Sequence, residues 1–429
     1  MNIRSFSILI CLVIQWAVAQ DNMKTINHKY LLQQYAGEWI NGDMFTSKKP
    51  SKNPNIKIVV TPKLKGLSYN VEVFKKENDQ WFLLLSEIIS YDQDTNQIVA
   101  LGSNSEGKNF VGRGGFLSYK KLIMKDHDFK GNFVQEVSFS FEDDGRLLLK
   151  GDAPGTKDDW EGVYFKKKNR NKKFGIHLVS VDEEMRNDPI RTLEKIGQMG
   201  YSYVETHRYK DRKFYGFTPE EFKVLLAKNG LTLGGSMVFK DPDINNMDQT
   251  MKWWDECIKD QLAAGVEYIT TTNININIIK KASGLEQYAN YFNAIGKKCR
   301  ENEILFLYHN HTEEFQKIKN QRIYDYLLEN TDPELVYFQS DLYWMYKADV
   351  NPVAYFKKFL GRFLSWHVKD IKELGASGKI DFEHIFSYAK VAGLRYNTVE
   401  VEDYDYPTLV SAKMAADYMR NSNFVKANY

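Results

Sequence analysis

Two stretches decide the fold: Phe363-Leu364-Ser365-Trp366-His367-Val368-Lys369-Asp370 and Arg395-Tyr396-Asn397-Thr398-Val399-Glu400-Val401-Glu402. Each is short, apolar and bounded by polar residues, as a fully buried strand is. Between them Phe382–Ala392 carries helical periodicity and Gly393 stops it. Strand, helix, strand in this spacing is a parallel βαβ unit. Working outward, the same beat recurs eight times. The strands fall near 174–181, 202–208, 231–239, 266–273, 304–311, 335–343, 363–370 and 395–402. The helices are Thr192–Met199, Pro219–Asn229, Met247–Ala264, Leu285–Asn302, Gln321–Asn330, Pro352–Phe359, Phe382–Ala392 and Pro407–Asn421. Thr218-Pro219 supplies a cap and a first-turn proline, and Gly230 and Gly265 follow helices as Gly393 does. Eight such units in about 255 residues match a (β/α)8 TIM barrel over 173–429. A doubly wound open sheet competes, but no Gly-x-Gly-x-x-Gly follows the first strand.

Upstream the period changes. From His28 to Lys168 alternation of period two dominates, as in Phe133-Val134-Gln135-Glu136-Val137-Ser138-Phe139-Ser140-Phe141. Turn signals such as Ser105-Glu106-Gly107-Lys108 and Asp143-Asp144-Gly145 separate the runs. This predicts an all-β antiparallel barrel or sandwich over 28–168. A short helix at Tyr30–Tyr35 precedes Gly37-Glu38-Trp39, and helix, Gly-x-Trp and meander together resemble a lipocalin-type barrel. The aromatics here are read as core, and no catalytic constellation is found. The basic run 166–173 reads as a solvated linker, with contact to an anionic surface as the alternative.

The remaining bounds come from composition. The chain has 429 residues, 43% hydrophobic, with charges that nearly cancel to +2, which suits two folded domains and offers no case for nucleic acid. Ten prolines and 27 glycines are too few and too scattered for a collagenous protein, and three cysteines do not make a disulfide scaffold. Residues 1–19 combine an early Arg4, an apolar run over Ser7–Val18 and Ala17-Val18-Ala19. They are expected to be a signal peptide cleaved before Gln20, giving an exported protein, periplasmic or secreted. A membrane anchor competes, but the run is short and Gln15 interrupts it. No later stretch is apolar enough to insert in a membrane. Cys257 and Cys299 fall in predicted helices, and their pairing is left open.

A TIM barrel carries its chemistry at the C-terminal ends of its strands. Of eight histidines, His177, His207, His309, His311 and His367 lie at or near such ends, with Glu205, Asp341, Glu400 and Glu402. Carboxylates and imidazoles without thiolates suit a divalent ion, Mn, Mg, Co or Zn, with positions open to substrate oxygens. Asp341, His367 and Glu400 come from neighbouring strands, and His309 or His311 would complete the set. Residues two apart share a face, so His309 pairs with His311 and Glu400 with Glu402.

These pieces resemble the xylose isomerase-like TIM barrels, the sugar phosphate isomerase/epimerase superfamily that includes inosose dehydratase. The resemblance rests on Tyr308-His309-Asn310-His311, Asp341-Leu342-Tyr343-Trp344, His367-Val368-Lys369-Asp370, Gly378-Lys379-Ile380-Asp381-Phe382 and Val399-Glu400-Val401-Glu402. It implies a metal held by Asp341, His367 and Glu400. His309 stands where many relatives carry glutamate, so one glutamate of the family's proton-transfer pair is missing. Trp344 falls where epimerase relatives often carry a substrate-binding histidine.

Such a site is expected to act on a sugar through an enediolate, as an isomerase or epimerase. Loss of a β-substituent from the same intermediate would make it a dehydratase or a 3-keto-glycoside lyase. Glu400, Glu402 and His311 are the candidate bases. Lys369 would polarise a substrate oxygen, and Glu205, His207 and Trp344 would line the pocket. The aromatics Tyr308, Tyr343, Trp344 and Trp366 could stack on a sugar or simply pack. The acidic run Glu402-Asp403-Tyr404-Asp405 points to a neutral sugar, keto-sugar or glycoside rather than a phosphate. A carbohydrate-binding protein that has lost its chemistry is the non-enzyme alternative. The expected partner is thus a small carbohydrate, and whether the chain forms a homodimer is left open.

Overall fold

The computed structural model describes residues 26–429 apart from 143, 156–158, 168–170, 244, 281–282 and 319. The expected signal peptide, 1–19, and part of the basic run, 168–170, lie outside the described residues. Two compact units divide between residues 167 and 168.

In the first unit Asn27 caps a helix, His28–Leu32, that tightens into a 3-10 turn at Gln33–Tyr35. Gly37 then takes a φ of +124°, which turns the chain into its first strand. Trp39 is buried there, its Nε1 donating to Tyr35 O at 2.8 Å. The strands that follow form one closed antiparallel meander from Gly37–Asn41 to Trp160–Lys166. There are ten among the described residues, two more than a lipocalin barrel has, and long runs such as Ser68–Glu77 and Gln80–Asp92 pair along their whole length. Closure leaves no unpaired edge.

The second unit is a closed parallel barrel of eight strands in simple sequence order. They are Gly175–His177, Tyr203–Thr206, Thr232–Met237, Tyr268–Thr271, Leu305–His309, Tyr337–Asp341, Ser365–Lys369 and Tyr396–Glu400, called strands one to eight below. Strand eight returns to pair with strand one. Helices cover the outside, with caps where the sequence placed them. Thr218 makes a full capping box, Gly265 and Gly393 end helices in the left-handed region, and Gly230, at φ +70°, follows the cap residue Asn229; Gly200, not singled out in the sequence, ends a helix in the same way. Four elements depart clearly from expectation. Strand one, expected over 174–181, stops at His177 and runs into a 3-10 turn, Leu178–Val181, and the helix expected over Phe382–Ala392 is two short ones, Phe382–Phe386 and Ala389–Ala392. Strand six stops at Asp341, where a short helix, Leu342–Lys347, begins, and Gln321–Arg322 joins a small hairpin before the helix Ile323–Asn330. Cys257 and Cys299 are buried free thiols. No helix among the described residues is long and apolar enough to cross a membrane.

The barrel interior is built in layers along the strands. At the floor Tyr268, Leu307 and Leu364 pack together with Tyr337 and Tyr396. Here the tyrosine rings lie over glycines. A Cβ on Gly175 would stand 2.1 Å from the Tyr203 ring, and one on Gly235 would stand 2.4 Å from the Tyr268 ring. The rings are thereby held flat, with both hydroxyls aimed inward at Thr398. Gly235→Ala should lower unfolding stability by about 1–3 kcal/mol through overpacking against Tyr268. Denaturant melts of the variant beside wild type check this, and coincident curves would contradict it.

Candidate functional site

Alternation along the strands sorts the polar residues. On strand seven Ser365, His367 and Lys369 point into the barrel. Trp366 between them points out, stacked on Phe356 at 4.9 Å. On strand five His309 points in, and Tyr308 points out to donate to Glu314 Oε1 at 2.7 Å. Tyr308 and Trp366 are therefore packing residues, and Tyr343 and Trp344 are the aromatics left near the rim.

His177, His309, Asp341, His367 and Glu400 converge on the C-terminal side, all buried. They form two triads, His177–His367–Glu400 and His309–Asp341–His367, each with its donor atoms within 4.8 Å of one another. His367 belongs to both. Its Nδ1 lies 2.7 Å from Glu400 Oε2 and 3.9 Å from Asp341 Oδ2. Glu400 Oε2 also lies 2.5 Å from His177 Nδ1, and Glu400 Oε1 accepts from Lys369 Nζ at 2.8 Å. Asp341 Oδ1 caps the new helix by accepting from Trp344 N at 2.9 Å. Its Oδ2, buried, has no hydrogen-bond partner, and neither does His177 Nε2. Asn310 holds Asp341 from behind, its amide bonding both the N–H and the C=O of that residue.

Charge in this cluster is arranged around buried anions. Burial would raise Glu400, but the charges of His367, Lys369 and His177 outweigh it and hold the carboxyl well below its usual range. Burial would lower His367, yet Glu400 and Glu205 outweigh it and hold the imidazole well above its ordinary value. Asp341 is raised by burial and by Glu400, against the pull of Lys369 and His367. Burial lowers His309, with His367 and His311 adding to it, so its ring is neutral. Buried donors aimed at one another and partly unsatisfied are what a divalent cation would relieve, and the donor set fits one.

The ligand orientations are fixed one layer down, which the sequence did not disclose. Glu205 was expected to line the substrate pocket. Instead it is wholly buried beneath the rim. Glu205 Oε2 accepts from Tyr268 Oη at 2.7 Å and from Gln339 Nε2 at 2.9 Å, and lies 3.2 Å from His367 Nε2. Gln339 also donates to Ser365 Oγ at 2.9 Å. With both amide hydrogens used, Gln339 Oε1 faces His309 Nδ1 at 2.9 Å. An oxygen there needs a hydrogen on Nδ1, so the neutral His309 keeps its Nε2 lone pair for a ligand role. Gln339 precedes Asp341 by two positions, so the same inward face was its readable signal.

The remaining expected residues sit nearer solvent. His311 is half-buried, its Nδ1 3.1 Å from Thr272 Oγ1. That hydroxyl already donates to His309 O, so it accepts from Nδ1–H and leaves His311 Nε2 able to take a proton. The His311 ring meets Trp344 at 5.6 Å, and Lys369 Nζ lies 4.7 Å over the Trp344 ring. Lys369 was expected to meet substrate. Two of its donors go to Glu400 and Glu402, and its charge is held raised by Glu400 and Asp341 against burial. Glu402 is the partly exposed carboxylate of the pair. His207 stacks edge-on to His177 at 5.4 Å and lies 3.2 Å from Asp182, its Nδ1 without a partner. Burial, with His177 next, pushes His207 down to about 4. Gln339→Leu should weaken divalent-metal affinity about 10–100-fold by releasing His309 and Glu205. Calorimetric titration with Zn2+ or Mn2+ measures it, and unchanged affinity in a folded variant would contradict the relay.

Comparison with known proteins agrees with this architecture. A crystal structure of a sugar phosphate isomerase/epimerase from Parabacteroides distasonis ATCC 8503 is 25% identical and covers 60% of this chain and 96% of its own, with a TM-score of 0.57. A second from the same organism is 28% identical, covers 59% and 100%, and has a TM-score of 0.55. An inosose dehydratase of Clostridium tetani is 31% identical over 81 residues, 19% of this chain. The chain thus spans about a quarter of the length of that curated relative, 26%. Residues 193–422, more than half of the sequence, match the family described as Xylose isomerase-like TIM barrel. The chain belongs to the xylose isomerase-like TIM barrel family.

Proposed function

We propose that the second barrel is a divalent-metal-dependent enzyme that isomerises or epimerises a neutral sugar or keto-sugar through an enediolate. The observation that carries this reading is the pair of buried triads sharing His367, with unsatisfied donor atoms on Asp341 and His177. His309, Asp341, His367 and Glu400 would hold the ion, with His177 as an additional donor the sequence reading left unassigned. Three imidazoles beside two carboxylates favour Zn, Co or Mn over Mg. Bound there, the ion would polarise a carbonyl and its neighbouring hydroxyl and so acidify the C–H between them.

The chain's own groups then move the protons. His311 follows strand five and Glu402 follows strand eight, so they flank the Asp341–His367 pair of strands six and seven. His311 Nε2 is set to accept a proton, and Glu402, ion-paired with Lys369, stands at the other side. Removal by one and return by the other inverts a centre, and return to the adjacent carbon isomerises the sugar. This pair takes the place of a two-glutamate pair, one member of which is missing because His309 occupies its strand-five position. Glu400, enclosed by His177, His367 and Lys369, serves to hold the ion rather than to carry protons. One ammonium hydrogen of Lys369 remains for a substrate oxygen. Tyr343 and Trp344 supply the apolar wall, and His207 the polar edge. The Asp403–Asp405 carboxylates beside the site disfavour a phosphate, in keeping with a neutral substrate and with the export expected from residues 1–19.

A second reading, a dehydratase or 3-keto-glycoside lyase, is favoured by the stretch shared with the inosose dehydratase. It begins with the same deprotonation and ends with loss of a β-substituent. Both readings are tested by incubating the metal-loaded protein with neutral ketoses, aldoses and keto-glycosides in D2O. Deuterium should enter the C–H beside the carbonyl by NMR and disappear with a chelator. It should fall about 100-fold or more in His311→Asn or Glu402→Gln. A rearranged sugar marks the first reading and an eliminated one the second. Sugar binding that survives chelation, with no exchange in any sugar, would make the barrel a binding module.

A further inference from the structure

The first barrel encloses a cavity of about 400 Å³, the size of a small-ligand site. Its walls are the inward faces of the strands, with Ile58, Val73, Ile89, Met124, Val137 and Leu149 among them. Two acids break that apolar lining in the interior, and a third, Glu106, lies in its exposed part. Glu87 lies between the inward Leu85 and Ile89, and Asp126 lies two residues after Met124. No lysine, arginine or histidine lines the cavity among the described residues. Glu87 has no hydrogen-bond or ion-pair partner there. Burial, reinforced by Asp126, pushes its carboxyl up to about 8. Asp126 is raised by burial as well, against a bond from Gln135 Nε2 at 2.9 Å. Gln135 is itself turned by Trp160 Nε1, which donates to its Oε1 at 3.1 Å.

The space beside these acids is built. Glu87 faces Gly102 across the ladder, and Asp126 faces Gly112. A Cβ on Gly102 would stand 2.8 Å from Glu87 Cβ, and one on Gly112 would stand 2.5 Å from Asp126 Oδ1. Gly112 thus leaves room for the Asp126 carboxylate, while Gly102 lets Glu87 and the Phe110 ring, 2.4 Å from such a Cβ, pack side by side. Glu106 and Trp160, which line the cavity and are also exposed, mark its mouth. Burial without a cation drives these acids toward their protonated forms, and a ligand that brings a cation offsets the burial and lets them ionise against it.

We propose that the first barrel binds an amphiphile with a protonated amine head and an apolar tail, the amine seated between Glu87 and Asp126. This adds a ligand site to a domain whose aromatics alone are read as core. It is independent of the chemistry of the second barrel.

The test titrates the full chain at pH 7 with decylamine, decanol and decanoate, which share one tail, by calorimetry. Decylamine should bind about tenfold or more tightly than decanol, and decanoate more weakly than both. In Glu87→Gln combined with Asp126→Asn, decylamine should fall to the level of decanol while decanol is unchanged. Decanoate binding as tightly as the amine, no binding by any of the three, or an amine preference that survives the double substitution would each overturn the proposal. Should the double variant fail to fold by circular dichroism, Glu87→Gln alone and the wild-type ranking decide.

Discussion

A carboxylate with no access to solvent, Glu205, sits at the centre of the second barrel, and the site above depends on how it is satisfied. An ion removed from water costs several kcal/mol unless donors and opposite charge surround it. Tyr268, Gln339 and His367 converge on the same oxygen, Oε2. Each is then committed. Tyr268 is held over Gly235, Gln339 turns its oxygen to His309, and His367 turns its Nδ1 to Asp341 and Glu400. One buried anion thus orients two imidazoles of the rim cluster, and the glycine-backed floor keeps it in place. Arrangements of this kind, a donor set aligned by an outer layer before the ion arrives, are what make metal sites selective.

The strand-five histidine has a consequence for the whole site. A neutral imidazole replaces an anion, so the cluster carries less negative charge than a set with glutamate there. His177 and Lys369 add positive character around Glu400. Such a balance suits ions that accept nitrogen.

Much of this was legible in the sequence, and the failures have physical reasons. Parallel strands buried on both faces read as short apolar runs, so the eight-fold beat and its helix caps could be read directly. The rim residues followed from strand ends. Depth did not. Glu205 and His207 are two residues apart on one face, yet one lies sealed under His367 and the other beside Asp182 near the opening. Gln339 was passed over because a neutral amide carries no sign of catalysis until its partners are seen. The helix at Leu342–Lys347 was hidden in an apolar run, although Asp341 three residues before Trp344 had the spacing of a cap. In the first domain the alternation gave the sheet but not the strand count, and acids at inward positions were lost among the polar residues of the outer face.

The most direct test of the account is metal content per chain by elemental analysis, for wild type and Asp341→Ala purified side by side and soaked with Zn2+, Co2+ or Mn2+. The account predicts about one bound ion in wild type, lost in the variant. No ion in either protein, or equal loading in both, would contradict it.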